Sequence, residues 1–477
     1  MNYLSQIKKK NTFLNIKFWI IAFFILRLFH ITNPPLEVSH NWRQTTVTMV
    51  ARNFEEVNNN IFYPRLDIDG DKAGVTGMEF PVFNYLIYLM SLLFGYEHWY
   101  GRLINLIVSS FGIYFFYKLI RKHFNGELAF FSAIILLCSI WFPFSRKIMP
   151  DTFSFSFMIM CMYYGSNYFD NGRFKNLMLY FVFCALGVLS KLPSGYILII
   201  FSFFLLDKNY AFDRKIIFCA ASAIIISIVG IWYFYWVPRL NSVFSFQHFY
   251  MGSTIYNGYV EFKNNLFDTI AKFFDSALKY IGFIFFIIGL YKAYKLKSDQ
   301  VFYVFIVVFF GFLIVMFKAG FAFHHHNYYI IPFAPLMALV SAYGILKIKF
   351  QNSKYNQLKY VFLIAISLEG TLNYNDDFFI KDDDYRIFFL EKDLDKCGNK
   401  KDLILINSGN KPTPMYYAHR KGWVTFNDSI KNPVYLSKLK RKGLKFIVIL
   451  KKSFGDEIKL DYPICYSNAY YTIYELK

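Results

Sequence analysis

Acidic residues are scarce in this chain, which has 32 aspartates and glutamates against 52 lysines and arginines and a formal net charge of +20. An excess of this kind can indicate a nucleic-acid-binding protein. Here the cations cluster in short loops between apolar runs, which is the distribution that membrane topology predicts. We therefore exclude nucleic acid as a partner and interpret the charge as that of loops on the cytoplasmic side of a membrane.

Cysteine is also rare, with six in the chain. Cys397 and Cys465 lie in a polar C-terminal region, and they can form a disulfide if that region faces an oxidising compartment. Two cysteines in one small domain can equally stay free, so the sequence leaves both states open. The other four lie inside apolar runs and are expected to pack as small hydrophobic residues: Cys138, Cys161, Cys184 and Cys219.

The first apolar run lacks the small residues of a signal-peptide cleavage site. A basic stretch at 8–10 precedes this run, which covers 16–31 and ends in Phe29, His30 and Ile31. We interpret the run as an uncleaved first transmembrane helix with its N-terminus in the cytoplasm.

Long apolar runs dominate the rest of the chain, which is 56% hydrophobic and 22% aromatic, with a mean hydropathy of +0.32. A helix needs roughly 17–25 apolar residues to cross a bilayer. The length criterion predicts about eleven spans in an α-helical polytopic membrane protein. They lie near 16–31, 100–120, 127–143, 152–168, 176–190, 194–206, 215–236, 279–294, 300–318, 328–346 and 358–370.

Charge sets the predicted orientation of these spans. Alternate loops are short and rich in lysine and arginine, which places them in the cytoplasm, and an odd number of spans places the C-terminus outside. The segment 80–94 has only fifteen residues, and a crossing there would turn the basic loops outward. We therefore predict an interfacial helix at 80–94, within the first of two long outer loops, 32–99 and 238–277.

The last hundred residues differ in composition from the rest. Short apolar runs at 403–406, 446–450 and 470–476 predict strands, and MYYAHRKG and YLSKLKRKG predict helices that end in glycine. Alternating strands and helices favour a small extracytoplasmic α/β domain. We divide the chain into a transmembrane domain, 1–370, and this domain, 371–477.

The stretch SHNWRQTTVTMVARNF, 39–54, has helical spacing with two cations on its apolar stripe. His40 and Arg43 follow the same three- and four-residue steps as Val47, Val50 and Phe54. One interpretation is that both cations snorkel to lipid headgroups. The functional interpretation is that the stripe packs on the membrane domain and its cationic end faces a bound anion such as phosphate.

Two carboxylates lie at predicted outer helix ends. Glu79 precedes the interfacial helix, where it can bind a substrate, interact with the helix dipole or remain in solvent. Asp151 follows Pro150 in a short outer loop and can be a helix N-cap, a site residue or both. Ser39 is the corresponding N-cap expected ahead of the first-loop helix.

Further polar side chains share the outer side of the membrane. Arg146 lies in the loop that carries Asp151, and Lys191 lies near the outer end of a span, where a lone lysine can also be a snorkelling anchor. The stretch 317–335 contains three consecutive histidines, which cannot all face one way on a helix, so that run alone does not predict a metal site. We expect phosphate or sugar hydroxyls to contact His324, His326 or Tyr328.

Outward-facing acids together with cations indicate chemistry on a lipid-linked anion. Group transfer from a lipid phosphate needs a base for the acceptor hydroxyl and cations for the departing phosphate. The residues predict no metal ligands and no cofactor, although a divalent metal is left open.

Several motifs together resemble the multispanning GT-C glycosyltransferases, in particular the bacterial branch related to protein O-mannosyltransferases and lipid A aminoarabinose transferases. The motifs keep their order over most of the chain. They are HNWRQTTVTMVARNF at 40–54, GMEFPVFNYLIYL at 77–89, SRKIMPDTFSF at 145–155, HNYYIIPFAPLMAL at 326–339 and NSGNKPTPMYYAHRKGW at 407–423.

The resemblance implies transfer, with inversion, of a hexose or pentose from a polyprenyl-phosphate donor to a lipid, glycan or protein acceptor on the periplasmic face. It implies that the acid in the second outer loop is Asp151, and it places Glu79 in the turn before an interfacial helix. Much of the class has an aspartate in its first-loop helix, where this chain reads Trp42, Arg43 and Gln44. The expected base is therefore Glu79 or Asp151, with Glu37 as the remaining alternative.

Two other classes of function stay open at this point. A transporter or flippase would place ionisable groups near the bilayer midplane and often shows internal repeats, neither of which the sequence indicates. A surface-polysaccharide polymerase or ligase would use a diphosphate-linked glycan. The composition, rich in Phe, Ile, Lys and Asn, indicates an AT-rich genome and hence a bacterial inner membrane.

Overall fold

A computed structural model describes residues 12–248, 250–296, 300–348 and 353–476. The basic stretch at 8–10, with the predicted cytoplasmic N-terminus, lies outside the described residues. So do parts of the predicted inside loops at 292–297 and 347–359.

Helices cover most of the chain up to residue 378. In chain order the α-helices are α1 Ile16–Leu26, α2 Asn41–Glu56, α3 Val82–Phe94, α4 Tyr100–His123, α5 Gly126–Leu137, α6 Trp141–Phe144, α7 Pro150–Asn171, α8 Phe174–Ser190, α9 Ser202–Leu206, α10 Phe212–Gly230, α11 Val237–Phe244, α12 Ile255–Asn264, α13 Leu266–Ala271, α14 Lys279–Lys295, α15 Gln300–Ala319, α16 Phe321–His325, α17 Ala334–Leu346 and α18 Leu358–Asn373.

Shorter 3₁₀ and π segments continue several of these helices. They are Leu192–Phe201 before α9, Ile231–Trp236 between α10 and α11, Lys272–Leu278 before α14, and Asn327–Ile330 before α17. Each predicted span contains helical residues, which confirms a helical membrane protein. By length and composition, four helices among the described residues can cross a membrane: Tyr100–His123, Phe212–Phe244, Leu266–Lys295 and Gln300–Ala319. The total of about eleven spans stays a prediction.

The first outer loop forms two helices, α2 and α3. Helix α3 occupies the segment predicted as interfacial and leaves Leu92, Leu93 and Phe94 exposed near its end. The prediction that Ser39 caps α2 is wrong, because the cap position is His40 and no side chain caps the helix there. Ser39 and His40 both have left-handed backbone angles, with φ of 69° and 61°, which is a costly conformation for residues with a Cβ.

Helix α2 is buried on more than one side. Val47 belongs to an apolar cluster with Phe83 of α3 and Phe153 of α7. Val50 and Phe54 belong instead to a second apolar cluster, with residues of the C-terminal sheet. The stripe was predicted to pack on the membrane domain; Val47 does so, whereas Val50 and Phe54 pack with the C-terminal sheet.

A five-stranded sheet forms the core of the C-terminal region, which confirms the predicted α/β fold class. Its strands are β1 Leu403–Ile406, β2 Gly422–Val424, β3 Leu444–Leu450, β4 Ile464–Ser467 and β5 Tyr471–Glu475, in the spatial order β2-β1-β3-β5-β4. Strand β1 pairs in parallel with β2 and β3, whereas β5 runs antiparallel to β3 and β4. The boundary at residue 370 stays a prediction.

Short helices precede the sheet and connect its first three strands. Before β1 come α19 Asp382–Tyr385 and α20 Leu390–Leu394; between the strands lie α21 Thr413–Ala418, α22 Asn427–Lys431 and α23 Pro433–Arg441. The glycine ending predicted for α21 is wrong, since His419 takes the left-handed position with a φ of 48°. Gly443 follows α23 in that conformation. Cys397 and Cys465 form a disulfide.

His419 links the C-terminal sheet region to α2. Its Nε2 lies 2.9 Å from Oε2 of Glu56, and its Nδ1 lies 2.8 Å from Oε1 of Glu391. These hydrogen bonds, to Glu391 first, raise the pKa of His419, while His419 helps to lower the pKa of Glu391 to about 2 against the opposing effect of burial. The imidazolium is therefore the form that the folded protein favours.

We expect this contact to be stronger at pH 6 than at pH 8.5. A histidine with a raised pKa contributes its full stabilisation below its ordinary pKa, about 6.5, and loses it as the pH rises through the raised value. Hydrogen exchange of residues 415–420, measured at both pH values and corrected for intrinsic rates, should show more protection at pH 6. His419→Asn should remove the difference, and greater protection of the parent protein at pH 8.5 would contradict the assignment.

Candidate active site

A cavity of about 270 Å³ lies between the first outer loop, the second outer loop and the ends of α8 and α15. Helix α2 contributes Trp42 and Arg43, and the turn before α3 contributes Glu79. Apolar and aromatic side chains form most of the remaining wall. The lining includes Trp42, Arg43, Glu79, Lys191, Tyr233, His248, Tyr250, Met251, Ile314, Lys318, Tyr328 and Tyr329.

Arg43 and Glu79 form an ion pair at the cavity wall. Arg43 lies in the first turn of α2, and its Nη2 donates to Oε1 of Glu79. Glu79 is only 7% exposed, so its charge depends on this partner. The cation on the buried side of α2 thus faces a carboxylate of the protein itself, 36 residues further along the chain.

A second ion pair joins Lys191 to Asp151. Lys191 lines the cavity directly after α8, and its Nζ lies 4.8 Å from the ring centre of Tyr328. Asp151 lies in the first turn of α7 and is 1% exposed. It is not the N-cap of that helix, because Met149 holds that position. Asp151 therefore stands behind Lys191 and does not line the cavity.

One oxygen of Asp151 has no hydrogen-bond partner among the described residues. Oδ1 accepts from Lys191, whereas Oδ2 is buried and unpaired. A buried carboxylate oxygen without a donor is costly, so the Lys191 ammonium is the main stabilising contact of this side chain.

Two of the predicted histidines lie beside the cavity and contact Tyr328. His40 Nε2 donates to Asn327 Oδ1 over 2.8 Å, and the His40 and Tyr328 ring centres are 4.9 Å apart. His326 stacks on the same tyrosine, with ring centres 5.2 Å apart, and its ring centre lies 5.7 Å from that of His40. Burial lowers the pKa of His40 and of His326 to about 4, so both are neutral hydrogen-bonding groups at pH 7.

The structure does not bring Arg146 or His324 to the cavity. Arg146 is 1% exposed and pairs with the carboxylate of Glu37 over 3.0 Å, and Glu37 also pairs with Arg102 over 3.2 Å. His324 lies on α16, with its ring packed against that of His325. The orientation of a loop residue such as Arg146 has no periodic signal in the sequence.

Other cavity residues are not predicted from the sequence, notably Tyr233 and His248. Burial lowers the pKa of His248 to about 4, so it adds no charge at pH 7. Lys318 also lines the wall and has no ion pair within the described ranges. The aromatic stretch FSFQHFYM at 244–251, inside a long outer loop, is the one sequence feature that indicates this part of the wall.

The charges around the cavity are three cations and two carboxylates. Arg43 and Lys191 are each balanced by an acid, so Lys318 leaves one positive charge in excess. A site of this kind attracts an anion and holds a carboxylate next to it. No group of three or more metal-ligating side chains occurs in the portion of the chain that the structure covers.

These helices, the cavity and the C-terminal sheet together describe a multi-pass membrane protein with a small sheet domain. The family model for dolichyl-phosphate-mannose-protein mannosyltransferases matches residues 77–234. No curated protein sequence matches the chain significantly.

Two solved structures show the same fold. ArnT from Cupriavidus metallidurans, bound to undecaprenyl phosphate, superposes with a TM-score of 0.61 at 11% identity, over 96% of this chain and 98% of that one. The Archaeoglobus fulgidus oligosaccharyltransferase AglB, in complex with an inhibitory peptide and a dolichol-phosphate, gives a TM-score of 0.51 at 12% identity, over 91% of this chain and 70% of that one. The resemblance to the GT-C class is thereby confirmed at the level of the fold.

Proposed function

We propose that this protein is a membrane glycosyltransferase that moves a hexose or pentose from a polyprenyl-phosphate donor to a lipid, glycan or protein acceptor, with inversion. The observation that carries the proposal is the cavity in which Glu79 meets Arg43, with Lys191 and Lys318 also in its lining. The polyprenyl and dolichyl phosphates bound to ArnT and AglB support the class of donor. We further propose that the site faces the periplasm at a bacterial inner membrane.

The reaction needs one proton acceptor and a stabilised leaving group. Glu79 takes the proton of the acceptor hydroxyl, whose oxygen forms the new bond to the anomeric carbon on the face opposite the phosphate. The bond between that carbon and the phosphate oxygen breaks, and polyprenyl phosphate leaves with the electron pair. Arg43, Lys191 and Lys318 stabilise the charge that develops on this phosphate.

Binding of the donor prepares Glu79 to act as the base, because Glu79 is paired with Arg43 before the donor binds. A donor phosphate competes with Glu79 for the guanidinium, because arginine binds phosphate and carboxylate with the same fork of donors. Phosphate binding therefore loosens the pair and leaves the carboxylate available for the acceptor proton. Asp151 holds Lys191, and Glu37 is enclosed by two arginines away from the cavity. We assign the base to Glu79 and a positioning role to Asp151.

The test is transfer by Glu79→Gln in proteoliposomes, with a labelled panel of undecaprenyl-phosphate hexoses and pentoses. We expect turnover to fall by about 10²–10⁴-fold, the usual contribution of a general base. Donor affinity should stay the same or increase, since glutamine competes less strongly for Arg43. Glu55→Gln, which changes an exposed carboxylate near the end of α2, is the matched control. Full turnover by well-folded Glu79→Gln would show that the base is another group.

A further inference from the structure

The second outer loop exposes a group of large apolar side chains next to the cavity. Helices α12 and α13 leave Phe267 88% exposed and Tyr256 74% exposed. Burial of large apolar side chains is favourable, so several of them held in water at once are costly. Exposed apolar groups of this kind indicate contact with a partner or with a membrane. The exposed group is Ile255, Tyr256, Tyr259, Leu266, Phe267 and Ile270, called here the loop face.

The loop face is fixed against the outer end of α15. A Cβ on Gly258 would lie 1.8 Å from the carbonyl oxygen of Phe317, so only glycine allows α12 to approach this closely. The backbone N–H of Ser253 donates to the Lys318 carbonyl over 2.7 Å. The ring of Tyr259 lies edge-on to that of Phe317, with centres 6.2 Å apart. The orientation of α12 is therefore set by packing against α15.

Helix α15 indicates where the loop face lies along the membrane normal. This helix is long and apolar enough to cross a bilayer, and its Phe310 is exposed, as a lipid-facing side chain would be. Helix α12, which carries part of the loop face, packs against the end of α15 that holds Phe317 and Lys318. Tyrosines with a nearby lysine, here Lys263, are typical of helices at the boundary between headgroups and acyl chains.

We infer that α12 and α13 form a membrane-interfacial element whose loop face contacts lipid at the outer surface of the bilayer. The cavity wall at Tyr250 and Met251 lies directly upstream of α12. Contact of the loop face with lipid therefore fixes the height of the cavity relative to the membrane surface. This inference concerns the membrane alone and does not depend on the proposed transfer reaction.

Spin labels at single cysteines test this inference in the full-length chain. The exposed Cys219 is replaced by serine, while the buried cysteines and the disulfide are kept. Labels are introduced by Tyr256→Cys and Phe267→Cys, with Asp268→Cys on the same helix and Asp428→Cys in the C-terminal region as solvent-exposed controls. The protein is reconstituted in vesicles of phosphatidylethanolamine and phosphatidylglycerol.

Collision rates with oxygen and with a water-soluble nickel chelate are then compared at each label. We expect oxygen to be favoured at 256 and 267, and the nickel chelate at 268 and 428. A preference for the nickel chelate at both 256 and 267 would overturn the inference, because the loop face would then lie in water. Low rates with both reagents would overturn it as well, since a protein partner or a second copy would then cover the face.

Discussion

Replacing Glu37 with glutamine is expected to lower the free energy of unfolding by about 3–5 kcal/mol, the usual cost of removing one partner from a buried ion pair. Glu37 is completely buried and is shared by Arg102 and Arg146, both of which are also buried. The substitution leaves two guanidinium groups without their counterion in a region that water does not reach. No other single charge change in the described chain isolates two arginines in this way.

Because of where Glu37 lies, its replacement is expected to destabilise the whole protein and not one loop alone. Arg102 on α4 also donates to the carbonyl oxygens of Asn33 and Pro34, and Arg146 donates to that of His30. The first outer loop is therefore attached to the membrane helices through this carboxylate. Loosening it also removes support from α2, which carries Arg43 at the cavity.

Thermal unfolding in detergent and denaturant titration measure this effect. Glu55→Gln serves as the control, because surface substitutions usually change stability by less than about 0.5 kcal/mol. The double variant Glu37→Gln with Arg146→Met removes one charge of each sign, so it should lose less than the two single variants together. A Glu37→Gln protein as stable as Glu55→Gln would mean that solvent reaches the arginines.

The helices and the inner strands are predictable from the sequence, because burial in lipid or in a sheet core requires unbroken apolar runs. The runs at 403–406 and 446–450 become β1 and the larger part of β3 for this reason. The edge strands β2 and β4 are not predicted. They have only three and four residues, and β4 is largely exposed while two of the three residues of β2 are only half-buried, so neither needs a recognisable apolar pattern.

The sequence predicts which residues belong to the candidate site much better than it predicts which of them form ion pairs with each other. Arg43, Glu79, Lys191 and Asp151 all follow from polar groups at outer helix ends, where burial is costly and unusual. Their pairing depends on contacts between residues 36 and 40 positions apart, which no local pattern encodes. The cationic end of α2 was consequently predicted to face a ligand, whereas a carboxylate of the chain occupies that position in the structure.

Replacing Arg43 with lysine is expected to raise the KM for the polyprenyl-phosphate donor by about 10–100-fold, as the loss of a charge-assisted hydrogen bond worth about 1.5–3 kcal/mol predicts. Lysine keeps the positive charge beside Glu79, so folding should be largely preserved. It lacks the planar fork that binds two oxygens at once, so it cannot hold a phosphate and release the carboxylate in the same way.

The effect should separate from that of Glu79→Gln, which lowers kcat and spares donor affinity. Competition by undecaprenyl phosphate, measured as the concentration that halves transfer, should weaken in Arg43→Lys by the same factor as the KM rises. Arg239→Lys, a change at an exposed arginine outside the cavity lining, controls for general effects of the substitution. An unchanged KM in Arg43→Lys, with Lys318→Met showing the increase instead, would move the phosphate to the α15 side of the cavity and leave Arg43 as a partner of Glu79 alone.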